Sequence, residues 1–493
     1  MSRASYAWLG AILVFALAFI VYALSLSPGV FSWDSAELTL GIYTQGIVHA
    51  TGYPLYLILG RIFTLLPLSA DFAIRANFFS ALCAALTAAL VYAINLRLFK
   101  NPLIAALSAL LFGLAPAIWA QVVVAEVYSL HTALTAGIIL AFLLWTELPA
   151  KHSLPYMLAV LFGLALANHM AALLAAVILL PYILWKIRAW RSRIVFLFII
   201  ALVGGALYLY LPLRFAANPQ FNLVAQYFDR DLTQPADFLW MVSGRMFGRE
   251  MLAYPLPGWI GEIGKFVGEL WLNFLGVGLL AGLLGIARLW GKNRTLCLLL
   301  LGIFAAQVLF FSSYDVFDKW TMFHTAYLVW AVFIAAGGMW LLDHLPGLPI
   351  YIFLAALVIV QLAGNWNLAG RAGDTFVADR ARNLLNTLPQ DATLIGPWTA
   401  IRPTEYEQMV NGQRPDVQLV DVTLLALGER DRLTSNAPDA LTQAVDARLL
   451  TAVACAPGEV YIVDPAALDA TQYRVTYVQT GLYQVTSHPA ANC

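Results

Sequence analysis

The sequence predicts an all-α polytopic membrane protein with about eleven transmembrane helices, ending in a small α/β soluble domain at the C-terminus. Three observations predict it. Of 493 residues, 61% are hydrophobic and 11% charged, against roughly a quarter charged in a soluble globular chain. Apolar runs near the ~20 residues that cross a bilayer recur from residue 7 to residue 365. From about residue 369 onward the pattern turns polar, with short β-rich runs between helical ones.

The expected spans cover 7–26, 72–96, 103–121, 128–145, 154–171, 172–185, 194–211, 266–289, 295–312, 322–342 and 348–365. The stretch 53–67 is apolar but short and carries Arg61, so it reads as an interfacial or re-entrant helix. Basic residues set the orientation. Arg3, Arg97, Lys100, Lys151, Lys186, Arg188, Arg191, Arg193, Arg288, Lys292 and Arg294 fall in alternate short turns, opposed there only by Glu147 and Asp343. Those turns are therefore cytoplasmic, as is the N-terminus. The first loop (27–71), the loop 214–265 and everything after residue 365 then lie outside, giving a membrane domain over 1–365 and an extracytoplasmic α/β domain over 366–493. Pro28-Gly29 and an acidic helix follow the first run where a cleavage site would need small residues, so that run is expected to be retained.

In the tail, helical patterns fall at 375–388 and 404–411 and strands at 393–396, 417–422 and 460–463. With no phosphate loop or dinucleotide fingerprint, its role is acceptor binding or structural cover. Cys83 and Cys297 sit in apolar spans as small hydrophobes, while Cys455 and Cys493 lie in the polar tail and are free to pair if it is outside the cell. The 28 basic and 28 acidic residues balance, which excludes a field that favours nucleic acid.

The chemistry points to the outer face. Asp34 and Glu37, three residues apart directly after the first span, share one helical face at the membrane boundary. ATP is scarce there, so a transfer enzyme needs a pre-activated donor. A polyprenyl-phosphate sugar supplies one at that level. Such a transfer needs a carboxylate base and a cationic phosphate clamp. Asp34 is the expected base, and Arg214 and Arg245 the expected clamp, with Arg249 a further candidate; each arginine could equally snorkel to lipid headgroups. Arg61 and Arg75 face the same alternative. His49, His131, His169 and His324 lie toward the outer side, but no pair has i, i+3 or i, i+4 spacing, so a divalent metal is admissible without being favoured. Glu126 needs a partner or a ligand. Asp315 and Asp318 form a second outer acid pair or a salt bridge with Lys319.

The motifs Asp34-Ser35-Ala36-Glu37, His49-Ala50-Thr51-Gly52-Tyr53-Pro54, Glu126-Val127-Tyr128, Asn168-His169, Leu211-Pro212-Leu213-Arg214, Asn218-Pro219, Val242-Ser243-Gly244-Arg245, Tyr314-Asp315 and Gly412-Gln413-Arg414-Pro415-Asp416 occur in order. Together they resemble the protein O-mannosyltransferase-like membrane family of the GT-C glycosyltransferase superfamily, which is widespread in bacteria. The chain departs from it at Ala36, usually glycine, and at Ala50 and Thr51, usually prolines.

The resemblance implies a GT-C-like fold in a bacterial cell membrane and a catalytic acid in the first outer loop. It further implies inverting transfer from a polyprenyl-phosphate sugar, with mannose as the first candidate, to a hydroxyl of an extracytoplasmic protein or glycan. Asp34 matches the catalytic acid and Glu37 its companion. His49, Tyr53 and Arg61 are further expected substrate-binding residues, and Glu126 and His169 the expected inner wall of the cavity. The alternative is a transporter or flippase of a lipid-linked sugar, which would place ionisable residues at mid-span.

Overall fold

In the computed structural model, residues 3–149, 151–433, 438–468 and 473–487 are described. Among them, six helices are long and apolar enough to cross a membrane: Phe72–Phe99, Val127–Glu147, Trp190–Ala216, Arg294–Ser312, Lys319–His344 and Gly347–Ala369. Two bent pairs raise the number to eight, fewer than the eleven expected. The segments Trp8–Leu24, Ser153–Asn168 and Ala172–Lys186 are apolar but shorter.

Two expected spans are broken. The run 103–121 becomes Pro102–Gly113 and Pro116–Val122, bent by 65° where Pro116 has no N–H to continue the ladder. The run 266–289 divides into Leu256–Asn273 and Val277–Lys292, bent by 104°. There Leu275 and Gly276 take left-handed backbone (φ 54° and 67°), and a Cβ on Gly276 would lie 2.5 Å from the Trp271 ring.

The first outer loop folds into the protein as two helices, Asp34–Thr44 and Pro54–Phe63. Their inner faces, including Leu38, Leu40, Tyr56 and Leu57, are fully buried, while Ile62, Leu65, Leu66 and Leu68 stay exposed, as an interfacial seat requires. The loop is pinned from several sides. Ile47 bridges residues 221–223 through Ile47 N–H to Phe221 O (3.0 Å) and Leu223 N–H to Ile47 O (3.0 Å), and Tyr210 donates to Gly46 O (3.0 Å).

The tail forms a five-stranded sheet in the order β2-β1-β3-β5-β4. Strands β1 (Thr393–Gly396), β2 (Gln418–Asp421) and β3 (Val460–Ile462) are parallel; β4 (Arg474–Gln479) and β5 (Leu482–Ser487) close one side as an antiparallel pair. The helix expected at 404–411 starts earlier, at Trp398. This unit is locked to the rest by buried polar contacts. Arg402, 1% exposed, donates across the joint to Tyr227 OH (3.2 Å) while Asp421 (3.1 Å) and Glu405 hold it from within the unit, and Tyr406 donates across to Asp71 (3.2 Å). Helices Trp398–Met409 and Val422–Arg432 begin directly after the carboxyl ends of β1 and β2, the edge of an open α/β sheet where ligands commonly bind. Cys83 and Cys297 are buried free thiols, Cys455 is disulfide-bonded, and Cys493 lies outside the described residues.

Candidate active site

Trp33 takes left-handed backbone (φ 61°) and turns the chain into the helix that starts at Asp34. Asp34 and Glu37 therefore occupy its first turn, where free N–H groups favour negative charge. Their surroundings differ. Glu37 is fully buried, whereas the Asp34 side chain keeps 24% of its surface exposed.

His49 joins the two acids. Glu37 Oε1 accepts from the His49 backbone N–H (2.6 Å) and from Nδ1 (3.0 Å), and Asp34 Oδ2 lies 3.7 Å from Nε2. Tyr53 OH lies 2.9 Å from Ala50 O and 2.8 Å from His49 Nε2, and its one hydrogen serves one of them. With that hydrogen on Ala50 O, Nε2 donates, and the ring with hydrogen on both nitrogens is the imidazolium that the neighbouring acids favour. Burial alone would lower its pKa; the charges of Glu37 and Asp34 and the hydrogen bond to Glu37 outweigh that and raise it to about 9. For Asp34, burial raises the pKa, the His49 charge opposes it, and Asp318 and Glu37 add to the rise, which reaches about 7.

Asp34, His49 and Tyr53 line a cavity of about 490 Å³. Thr51, Ser243 and Asp318 add polar groups to its lining; Leu173, Leu174, Phe310 and Phe311 add apolar ones; Trp398, Thr399 and Thr423 reach it from the sheet unit. Trp398 also packs edge-on against His49, ring centroids 5.6 Å apart. No lysine or arginine among the described residues lines this cavity. Among the described residues, no group of three or more His, Cys, Asp and Glu is placed to hold a metal ion.

The other sequence candidates separate into lining and supporting positions. His169 lines the cavity and stacks on Tyr53 (5.3 Å, 19°). Its Nδ1 accepts from Ala171 N–H (3.0 Å), so the neutral ring carries its hydrogen on Nε2, and burial, with the charges of His131 and His49, holds its pKa well down. Glu126 is buried outside the lining; its carboxyl is pushed well up by burial and then by Asp34 and Asp318. Glu37 likewise touches His49 and not the cavity.

The arginines are not brought to the cavity. Arg214 donates to Gln45 O (2.6 Å) and Thr44 O (3.1 Å), satisfying free carbonyls at the end of the Asp34–Thr44 helix. Arg245 is exposed outside the lining, Arg249 donates to Leu433 O (2.9 Å), and Arg61 lies over the Tyr43 and Phe72 rings. Arg75 donates to Thr64 O (2.7 Å). A guanidinium near a helix end is drawn to carbonyls as readily as to phosphate, and spacing alone does not separate the two.

Sequence reasoning left Trp33, Trp398 and Thr399 unremarked and Asp318 undecided. The expected partner of Asp318 is engaged elsewhere: Lys319 pairs with Glu262 (2.7 Å), and Asp315 accepts from Tyr254 OH (2.5 Å).

Residues 34–193 match the family model described as the protein O-mannosyl-transferase TMEM260 N-terminal domain. The mouse protein O-mannosyl-transferase TMEM260 is 26% identical over 453 residues, covering 84% of this chain and 63% of that protein. The Dictyostelium discoideum protein of the same name is 28% identical over 127 residues, covering 25% of this chain and 16% of that one. The chain thus spans less than two thirds of the length of these relatives. ArnT from Cupriavidus metallidurans, solved bound to undecaprenyl phosphate, shares the fold: TM-score 0.58 at 11% identity over 98% of both chains. The expected resemblance to protein O-mannosyltransferase-like membrane proteins is borne out.

Proposed function

We propose that this chain, a relative of the TMEM260 protein O-mannosyl-transferases with the fold of ArnT, is a membrane glycosyltransferase. It moves a sugar, mannose first among candidates, from a polyprenyl phosphate to an extracytoplasmic hydroxyl of a protein or glycan. The observation that carries this reading is one cavity lined both by Asp34 and by apolar side chains, Leu173, Leu174, Phe310 and Phe311, suited to a prenyl chain. The undecaprenyl phosphate in ArnT supports a lipid phosphate as donor.

Asp34 acts as general base. It takes the acceptor hydroxyl proton as the acceptor oxygen bonds to the anomeric carbon from the face opposite the phosphate; the carbon–oxygen bond to phosphate breaks and its electron pair leaves with the phosphate, inverting the centre. A carboxylate with a pKa near 7 is matched to that task at neutral pH. The His49 imidazolium is the cation that faces the phosphate, in place of the expected arginines, and Glu37 holds it there. Tyr53 and His169 form the wall beside it. The three shorter apolar helices complete eleven crossings, which leaves the N-terminus cytoplasmic and the sheet unit outside as the acceptor side.

The test is label transfer by the purified chain, in detergent, from a panel of polyprenyl-phosphate sugars to extracytoplasmic acceptors. Labelled product supports the reading. No product from any donor overturns it, and label carried across vesicles without transfer would replace it with transport.

A further inference from the structure

A second acid faces the same cavity without a task. Asp318 is half-buried and lines it together with Asp34. No lysine or arginine pairs with Asp318 among the described residues, and its charged neighbours are engaged by Tyr254 and Glu262. Its own backbone N–H and the His49 charge offset the burial of the Asp318 carboxylate only in part, which leaves acceptor capacity for donors that a ligand supplies. With no lysine or arginine among the described residues of the lining, the donors that fit are neutral hydroxyls, because a carboxylate accepts and a sugar hydroxyl donates.

The surrounding geometry has the form of a saccharide site. Trp33-Asp34 and Phe317-Asp318 are two aromatic–acid pairs set against each other. Their rings stack at 4.8 Å with planes 9° apart, 41% and 80% exposed, while both acids line the cavity. The segment 310–322 that carries Asp318 also supplies Phe310 and Phe311 to the apolar lining, so Asp318 stands on the donor side. Trp398 and Thr399 reach the cavity from the sheet unit, the acceptor side.

We propose that Asp318 selects the transferred sugar, its carboxylate accepting hydrogen bonds from two adjacent hydroxyls of the donor pyranose while Asp34 serves the acceptor. This rests on the glycosyl-transfer reading and adds a specificity role to it. Asp318 makes and breaks no bond; Tyr314, His49, Asp34, Glu126 and Tyr128 are the titratable groups it interacts with.

The experiment compares wild type with Asp318→Asn and Asp318→Ala, using polyprenyl-phosphate mannose, its glucose epimer and a monodeoxy mannose analogue. Asp318→Asn should raise the donor KM roughly tenfold or more, from the lost charged hydrogen bonds. It should also shrink the discrimination between mannose and the altered sugars, leaving the acceptor KM in place. Melting temperatures report folding separately, and a variant that melts early is replaced by the other. Unchanged donor selectivity in an active, folded variant overturns the role of Asp318 and leaves the transfer reading intact. A shift in acceptor KM alone moves the hydroxyls to the acceptor and overturns it as well. Wild type inactive with every donor overturns both.

Discussion

His49 Nε2 stands 3.7 Å from the Asp34 carboxylate, while Nδ1 of the same ring is held at 3.0 Å by Glu37. One imidazolium thus serves two acids of unequal access. The buried acid fixes the ring and its charge; the accessible one is left to meet substrate. Burial makes this arrangement sharp, because desolvation would otherwise strip the histidine of its proton and keep the aspartate neutral.

The pH dependence of transfer follows from those two groups. Below about pH 7 Asp34 gains a proton and cannot accept one; above about pH 9 His49 loses the positive charge that the proposed mechanism sets against the phosphate. The profile of kcat/KM should be bell-shaped with limbs near these values, each belonging to the coupled pair. A profile that keeps rising beyond pH 10 would remove His49 from the mechanism.

Glu37→Gln tests the support of His49. The amide still accepts one hydrogen bond but no longer offers a negative charge, so the alkaline limb should fall from about 9 toward the ordinary imidazole value of roughly 6.5. The acid limb should stay with Asp34. An unmoved alkaline limb would mean that Glu37 does not set the charge of the ring.

Arg402→Met probes the buried ion cluster of the sheet unit, which reaches the membrane part through Tyr227. It would leave Asp421 and Glu405 buried without their cation, a loss of roughly 3 kcal/mol or more. Unfolding in detergent should shift accordingly, and transfer should weaken because Trp398, on the same helix, packs on His49. Wild-type stability in the variant would contradict a stabilising role for this cluster.

Asp34, Glu37 and His49 were legible in the sequence because few polar groups stand in an apolar stretch, and each needs a partner there. The strand at 393–396 was legible too, from a short β-rich run between polar segments. The failures have physical reasons. Arg214 and Arg245 carry the right charge, but where a guanidinium points depends on the tertiary position of free carbonyls. The break at 275–276 was not legible, because two left-handed residues interrupt an unbroken apolar run. Trp398 gave no signal, because its place in the cavity depends on how the sheet unit docks, which no local pattern encodes.

The central claim is that Asp34 accepts the acceptor's proton. The most direct measurement is single-turnover transfer from donor already bound to purified wild type and Asp34→Asn, with donor affinity measured on both. The account predicts near-equal donor binding and transfer at least about a hundredfold slower in the variant, the usual scale for a lost general base. Equal single-turnover rates would contradict it.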